Sequence, residues 1–165
     1  MRGRRSHATV MVDMPRLLVV HHTPSPTMHS MLEAVLAGAT DSSIEGVDVV
    51  TRAALAATAV DVLEADGFLI GTPANIGYMS GAMKHFFDQI YYPCLGEKVG
   101  SLYGVYVHGS SDTAAALHAV EVITVGLGWK PACKPVSVAG TLTASAAEEC
   151  RELGATLAAR LAVAI

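Results

Sequence analysis

Three polar segments of this 165-residue chain each follow directly on a short apolar run, and their residue types suit them to hold a ligand. The first reads His21-His22-Thr23-Pro24-Ser25-Pro26-Thr27-Met28-His29. Hydroxyls at Thr23, Ser25 and Thr27, with backbone N–H groups at Ser25, Thr27, Met28 and His29 where a helix begins, could surround a phosphate. The helix dipole adds to the attraction. Ordinary capping is the competing reading, with Ser25 or Thr27 as the N-cap and Pro26 at the first helical position. The second segment reads Gly71-Thr72-Pro73-Ala74-Asn75-Ile76-Gly77-Tyr78-Met79-Ser80-Gly81. Gly77 would let backbone approach a flat ligand with no Cβ in the way. Ile76 or Tyr78 could cover a ring face, and Ser80 is placed to cap the next helix. The third is His108-Gly109-Ser110-Ser111, where His108 could contact a ring or polarise a substrate oxygen.

Missing motifs narrow the chemistry. The sequence contains no Gly-x-Gly-x-x-Gly and no Gly-Lys-Ser/Thr, so neither a dinucleotide fingerprint nor a P-loop is present. A phosphate-accepting receiver domain needs acidic residues after its first strand and an Asp ending its third; those positions read His21-His22 and Gly71-Thr72. Three widely spaced cysteines, Cys94, Cys133 and Cys150, form no Cys-x-x-Cys pair and read as small buried or half-buried thiols of a reducing, cytoplasmic compartment. His21, His22 and His29 have the look of a metal cluster, but their loop carries no carboxylate, and surface or hydroxyl-bonding roles suit them better; no metal is expected. His85 and His118 fall on solvated helix faces, Lys84 and Asp88 have the spacing of an i,i+4 ion pair, and Trp129 reads as packing.

The elements that must position these segments alternate in kind. Apolar runs at 17–20, 47–50, 68–70, 103–107 and 136–138 read as strands, the first too dense to have a wet face and hence buried on both sides. Between them Met28, Met31, Leu32, Val35 and Leu36 recur at helical spacing, as do Met83, Phe86, Phe87 and Ile90, then Ala116, Val120, Ile123 and Leu127, and finally Cys150, Leu153, Leu157 and Leu161. A mostly helical stretch is expected over 53–65, and Tyr91-Tyr92-Pro93-Cys94 as a helix stop. Five βα repeats predict an α/β, flavodoxin-like three-layer sandwich, with a five-stranded parallel sheet of order 2-1-3-4-5. In such sheets ligands sit beyond the carboxyl ends of the strands, where strands 1 and 3 diverge, which brings the three segments together.

Bulk properties agree with one such domain. The chain is 52% apolar with mean hydropathy +0.42, enough for a sizeable core and some apolar surface for a partner. Net charge is −4; without residues 1–14, which hold Arg2, Arg4, Arg5 and Asp13, 8 basic and 14 acidic residues remain. No basic face suggests nucleic acid, and the acidity is moderate for a small electron carrier that steers cationic partners. Residues 1–14 are expected to be a disordered extension, with Met11 or Met14 as alternative starts and an apolar run too short for a signal peptide or a membrane span.

The stretch from Ala65 to Asp88 resembles the strand-3 to helix-3 segment of the flavodoxin-like NAD(P)H:quinone oxidoreductase and NADPH-dependent FMN reductase families. Thr72-Pro73, Gly77, Met79, Ser80-Gly81 and then Lys84-x-Phe86-x-Asp88 carry the resemblance over about 24 residues; elsewhere, from Arg16 onward, it rests on element order. The resemblance implies an FMN-binding domain over 15–165. Thr23, Ser25, Thr27 and Met28 would hold the phosphate, and Pro73, Ala74, Asn75, Ile76, Gly77 and Tyr78 the isoalloxazine and ribityl. His108, Gly109, Ser110 and Ser111 would close the pyrimidine side. His108 and Tyr78 are the candidate catalytic residues, as proton sources. These families often have Gly where Pro26 stands; proline donates no N–H, so the phosphate site has one donor fewer. The implied activity passes reducing equivalents from NAD(P)H through FMN to a quinone, a flavin or a similar small acceptor. The alternatives are a flavodoxin-type electron carrier and a scaffold that has lost its flavin. Met79, Tyr91 and Tyr92 near the site point to a homodimer or homotetramer; no membrane insertion is expected.

Overall fold

The computed structural model describes residues 13–164. The expected extension over 1–14 therefore lies, but for Asp13 and Met14, outside the described residues. The elements run β1 Arg16–His21, α1 Pro26–Ala39, β2 Asp48–Ala53, α2 Ala59–Leu63, β3 Gly67–Asn75, β4 Tyr78–Met79, α3 Gly81–Cys94, β5 Leu102–Gly109, α4 Ala114–Gly126, β6 Lys130–Pro131, β7 Val136–Ala139 and α5 Ala144–Ala162.

The sheet orders β2-β1-β3-β5, and the outer edge of β5 carries β6 at one end and β7 at the other. All these pairs are parallel; β4 alone folds back antiparallel on the end of β3. Leaving that hairpin strand aside, the order is the expected 2-1-3-4-5, with the fifth position broken in two. The break falls at Ala132-Cys133-Lys134-Pro135, where Pro131 and Pro135 cannot donate to a ladder.

Alternation on the buried strands builds two cores. Leu18, Val20, Phe68, Ile70, Val105 and Val107 face α2, α3 and α4, which supply Val62, Met83, Phe86, Phe87 and Val120. Leu17, Val19, Leu69 and Tyr106 face α1 and α5, which supply Met28, Met31, Val35, Leu153 and Leu157. All four residues 17–20 are fully buried, as the density of that run requires. Trp129 stacks on Phe68 with ring centroids 3.9 Å apart and so packs the core. His85 and His118 are exposed, and Lys84 pairs with Asp88 across one helical turn.

One local expectation is corrected. The stretch 53–65 is mostly not helix: β2 continues to Ala53, Ala54 N–H donates to the His21 carbonyl at 2.8 Å, and only Ala59–Leu63 is helical. Thr58 and Asp61 close a capping box there, so the helix cannot begin earlier. The expected helix stop at Tyr91–Cys94 is where α3 ends: it runs to Cys94 and carries Pro93 inside its last turn. Cys94, Cys133 and Cys150 are all free. Among the described residues no helix is long and apolar enough to cross a membrane.

Candidate functional site

The parallel register places the first two segments side by side. His21, the last residue of β1, pairs with Gly71 of β3, and His22 N–H continues the ladder to the Gly71 carbonyl at 2.9 Å. The chain then turns into α1. Ser25 is extended (φ −138°, ψ 159°), its Oγ accepts the Met28 N–H at 3.2 Å, and Pro26 opens the helix. His29 N–H donates to the Ser25 carbonyl at 3.0 Å. Two of the four amides expected to be free are thus engaged within the helix. Ser25 and Thr27 keep theirs without a partner among the described residues, and the Ser25 hydroxyl, having accepted, retains its own proton. The Met28 side chain is fully buried in the α1–α5 core, so Met28 presents neither a side chain nor a spare amide here.

The histidines separate. His21 Nδ1 lies 2.7 Å from Thr23 Oγ1, on the face shared by Leu17 and Val19. Burial, and then the neighbouring His22, push its pKa below the ordinary imidazole value. His22 Nδ1 is buried with no partner. His29 reaches Glu33 at 3.2 Å along α1. Among the described residues no group of three His, Cys, Asp or Glu could hold a metal ion.

The second segment is a hairpin. Ala74 pairs with Met79 and Asn75 with Tyr78, leaving Ile76 and Gly77 as a two-residue loop. Both have positive φ, 49° and 70°, as a type I′ turn demands. Glycine accepts this; a β-branched residue does not do so without strain. The Ile76 side chain is fully exposed, and the Cβ position of Gly77 has nothing within 4 Å. Pro73 is buried and paired in register with His108, while Asn75 is exposed. Tyr78 lines a depression of about 240 Å³ with Lys84, Phe87, Asp88, Tyr91, Tyr92 and Ile123, on the α3–α4 face.

The third segment closes against the second. A Cβ on Gly109 would lie 3.1 Å from that of Ala74, so the two loops are in contact. His108 is half-buried, and its Nε2 lies 2.7 Å from the Gly140 carbonyl. A carbonyl only accepts, so Nε2 carries a proton and donates it to Gly140. Ser110 and Ser111 are exposed.

A fourth loop was missed from sequence. Gly140, Thr141 and Leu142, after β7, line an open depression of about 530 Å³ with Pro26, Thr27 and Ser30. The strand-end rule that singled out the other loops applies equally to the fifth strand at 136–138, and that signal was in the sequence.

The family described as NADPH-dependent FMN reductase matches this chain over residues 26–144, from the start of α1 to the start of α5. A curated relative, a flavodoxin of Aquifex aeolicus (strain VF5), is 38% identical over 89 residues, which is 54% of this chain and 47% of that protein. The chain thus spans about half the length of the curated relative it matches. A flavodoxin from the domain Archaea superposes with a TM-score of 0.72 at 18% identity, over 88% of this chain and 98% of that one. The rubredoxin oxygen:oxidoreductase of Desulfovibrio gigas does so at 0.75 and 15% identity, over 92% of this chain and 38% of that one. The structural likenesses establish a flavodoxin-like fold, and with the family match covering the second and third segments and the last four residues of the first, the chain belongs to the NADPH-dependent FMN reductase family.

Proposed function

We propose that this protein is an FMN-dependent oxidoreductase that takes reducing equivalents from NAD(P)H and delivers them to a quinone, a flavin or a similar small acceptor. The observation that carries the reading is the family match over residues 26–144. The donor set fits FMN. Spare amides at Ser25 and Thr27 open a 14-residue helix, the buried His22 Nδ1 lacks a partner, and the space over Gly77 is clear.

Thr23, Ser25 and Thr27 would bind the phosphate. Pro73, Ala74, Asn75, Ile76 and Gly77 would present the ring and ribityl surface, and His108, Gly109, Ser110 and Ser111 the opposite edge. FMN held there would supply the redox chemistry between a nicotinamide and an oxidised acceptor. His108, its Nε2–H held by the Gly140 carbonyl, would turn its other ring nitrogen to the ligand and serve as a candidate proton source. Tyr78, exposed beside Lys84 on the α3–α4 face, would serve as a proton source, with solvent as the other at this open mouth. The domain spans 15–165. Exposed Tyr92, Val122 and Val125 on α3 and α4 suit a second copy of the chain, and three free thiols suit the cytoplasm.

Anaerobic addition of NADPH or NADH to the FMN-loaded protein tests the reading. Bleaching of the flavin absorbance is expected. No bleaching by either nucleotide, with full bleaching by dithionite, overturns it in favour of an electron carrier, the reading that the Aquifex flavodoxin supports.

A further inference from the structure

The hairpin over 73–79 cannot hold its own shape. It has two paired rungs, and a two-stranded ribbon of that size is marginal in water. Its tip is strained at Ile76, and neither the Ile76 side chain nor the Cβ position of Gly77 is packed against anything. Its flanks are packed, with Met79 buried in the core and Ala74 set against Gly109, and its base is bonded by two fully buried hydroxyl residues, Thr72 and Ser80. Thr72 Oγ1 donates to the Pro73 carbonyl at 2.9 Å and accepts the Ser80 N–H at 3.0 Å. Ser80 Oγ in turn accepts the Met83 N–H at 3.2 Å, which ties the returning strand to the first turn of α3. One hydroxyl therefore bonds both ends of the loop in a dry environment, where each unmade bond is costly.

We infer that Thr72 is the positioning residue of the ring loop: its buried hydroxyl staples the two ends of the 73–79 hairpin and holds the strained Ile76-Gly77 tip in the conformation that receives the flavin ring. The inference rests on the flavin-binding reading. Thr72 touches no ligand itself. It sets the fraction of molecules whose loop is ready to bind, and apparent affinity falls in proportion to that fraction.

Thr72→Val keeps the shape and removes the hydroxyl; Thr72→Ser keeps the hydroxyl. Dissociation constants for FMN and for riboflavin, read by flavin fluorescence, and amide hydrogen exchange over 74–79 in the flavin-free protein separate the outcomes. Thr72→Val is expected to weaken both flavins by the same factor, roughly tenfold, to speed exchange in the hairpin, and to be rescued by Thr72→Ser. A phosphate-loop defect would weaken FMN alone. The inference is overturned by Thr72→Val that binds both flavins within twofold of wild type, or by a serine variant no better than valine. Ile76→Asn, which gives the tip its preferred Asn-Gly pair, covers the case in which Thr72→Val does not fold: it should slow exchange over 74–79, and unchanged or faster exchange refutes the strained-tip premise. Wild-type protein that takes up no FMN refutes the flavin site instead, and the exchange measurements, which need no flavin, still decide the staple.

Discussion

Replacing Gly154 by alanine sets helix propensity against packing. Gly154 lies in the middle of α5, where Gly→Ala is ordinarily worth up to about 1 kcal/mol of stabilisation. In this fold the added Cβ would stand 2.0 Å from the Val35 carbonyl oxygen and 2.9 Å from the Ala39 nitrogen, both backbone atoms of α1. The mirror position behaves alike: a Cβ on Gly38 of α1 would stand 1.8 Å from the Arg151 carbonyl oxygen. Neither obstacle can rotate away, so α1 and α5 must separate by about an ångström, loosening the layer that buries Met31, Val35, Leu153 and Leu157. Overpacking of this kind costs about 1–3 kcal/mol, and rigid backbone on both sides puts these sites at the upper end. The net expectation for Gly154→Ala is a loss of about 2–3 kcal/mol, or roughly 4–12 °C in midpoint at this chain length. Gly81→Ala is the control. Gly81 opens α3 with ordinary φ and nothing within 4 Å of its Cβ position, so that change should stabilise by about 0.5 kcal/mol. Urea unfolding followed by circular dichroism measures Gly154→Ala and Gly81→Ala against wild type. A Gly154→Ala protein as stable as wild type, or more so, would refute the argument that backbone contact sets the α1–α5 spacing.

Three further outcomes follow from single groups. The Tyr106 hydroxyl is fully buried with no partner, burial being the main cause of its raised pKa. Tyr106→Phe should therefore be neutral or stabilising by about 1 kcal/mol, and a loss beyond 1 kcal/mol in urea unfolding would mean the hydroxyl is bonded. His21 has its folded pKa below the unfolded 6.5, so below pH 6.5 the unfolded chain binds the extra proton and stability falls as pH drops towards the folded pKa. His21→Gln should flatten that part of the stability–pH curve, and an unchanged slope would assign it elsewhere. Ser25→Ala removes the α1 cap and a phosphate donor: about 1 kcal/mol of stability should be lost, with FMN binding weakened and riboflavin binding unchanged in a fluorescence titration. Equal weakening of the two would place Ser25 away from the phosphate.

Local patterns made much of the molecule legible. The density of 17–20 and the helical spacing of Met83, Phe86, Phe87 and Ile90 are properties of neighbouring residues, and they appear in the fold as expected. The caps at Ser25 and Ser80 were legible for the same reason, since a cap bonds only three residues ahead. From these elements the sheet order follows by general rules of chain connection.

What the sequence left open depends on atoms distant in the chain. Residues 53–65 are rich in alanine, a helix former, yet pairing with β1 extends β2 to Ala53, and the helix is left with five residues. Tyr78 sits in the ring loop by sequence but follows the pleat of a two-residue strand onto α3, because successive side chains in a hairpin point to opposite faces. The contact of His108 with Gly140, 32 residues on, is made by two strand ends that meet only in the sheet. The sequence by itself determined the main strands and helices, the stretch 53–65 excepted, because periodicity and capping are local. Only the tertiary structure decided which amides stay free, which way each loop side chain faces and how closely α1 approaches α5, because those follow from packing between elements that local pattern does not encode.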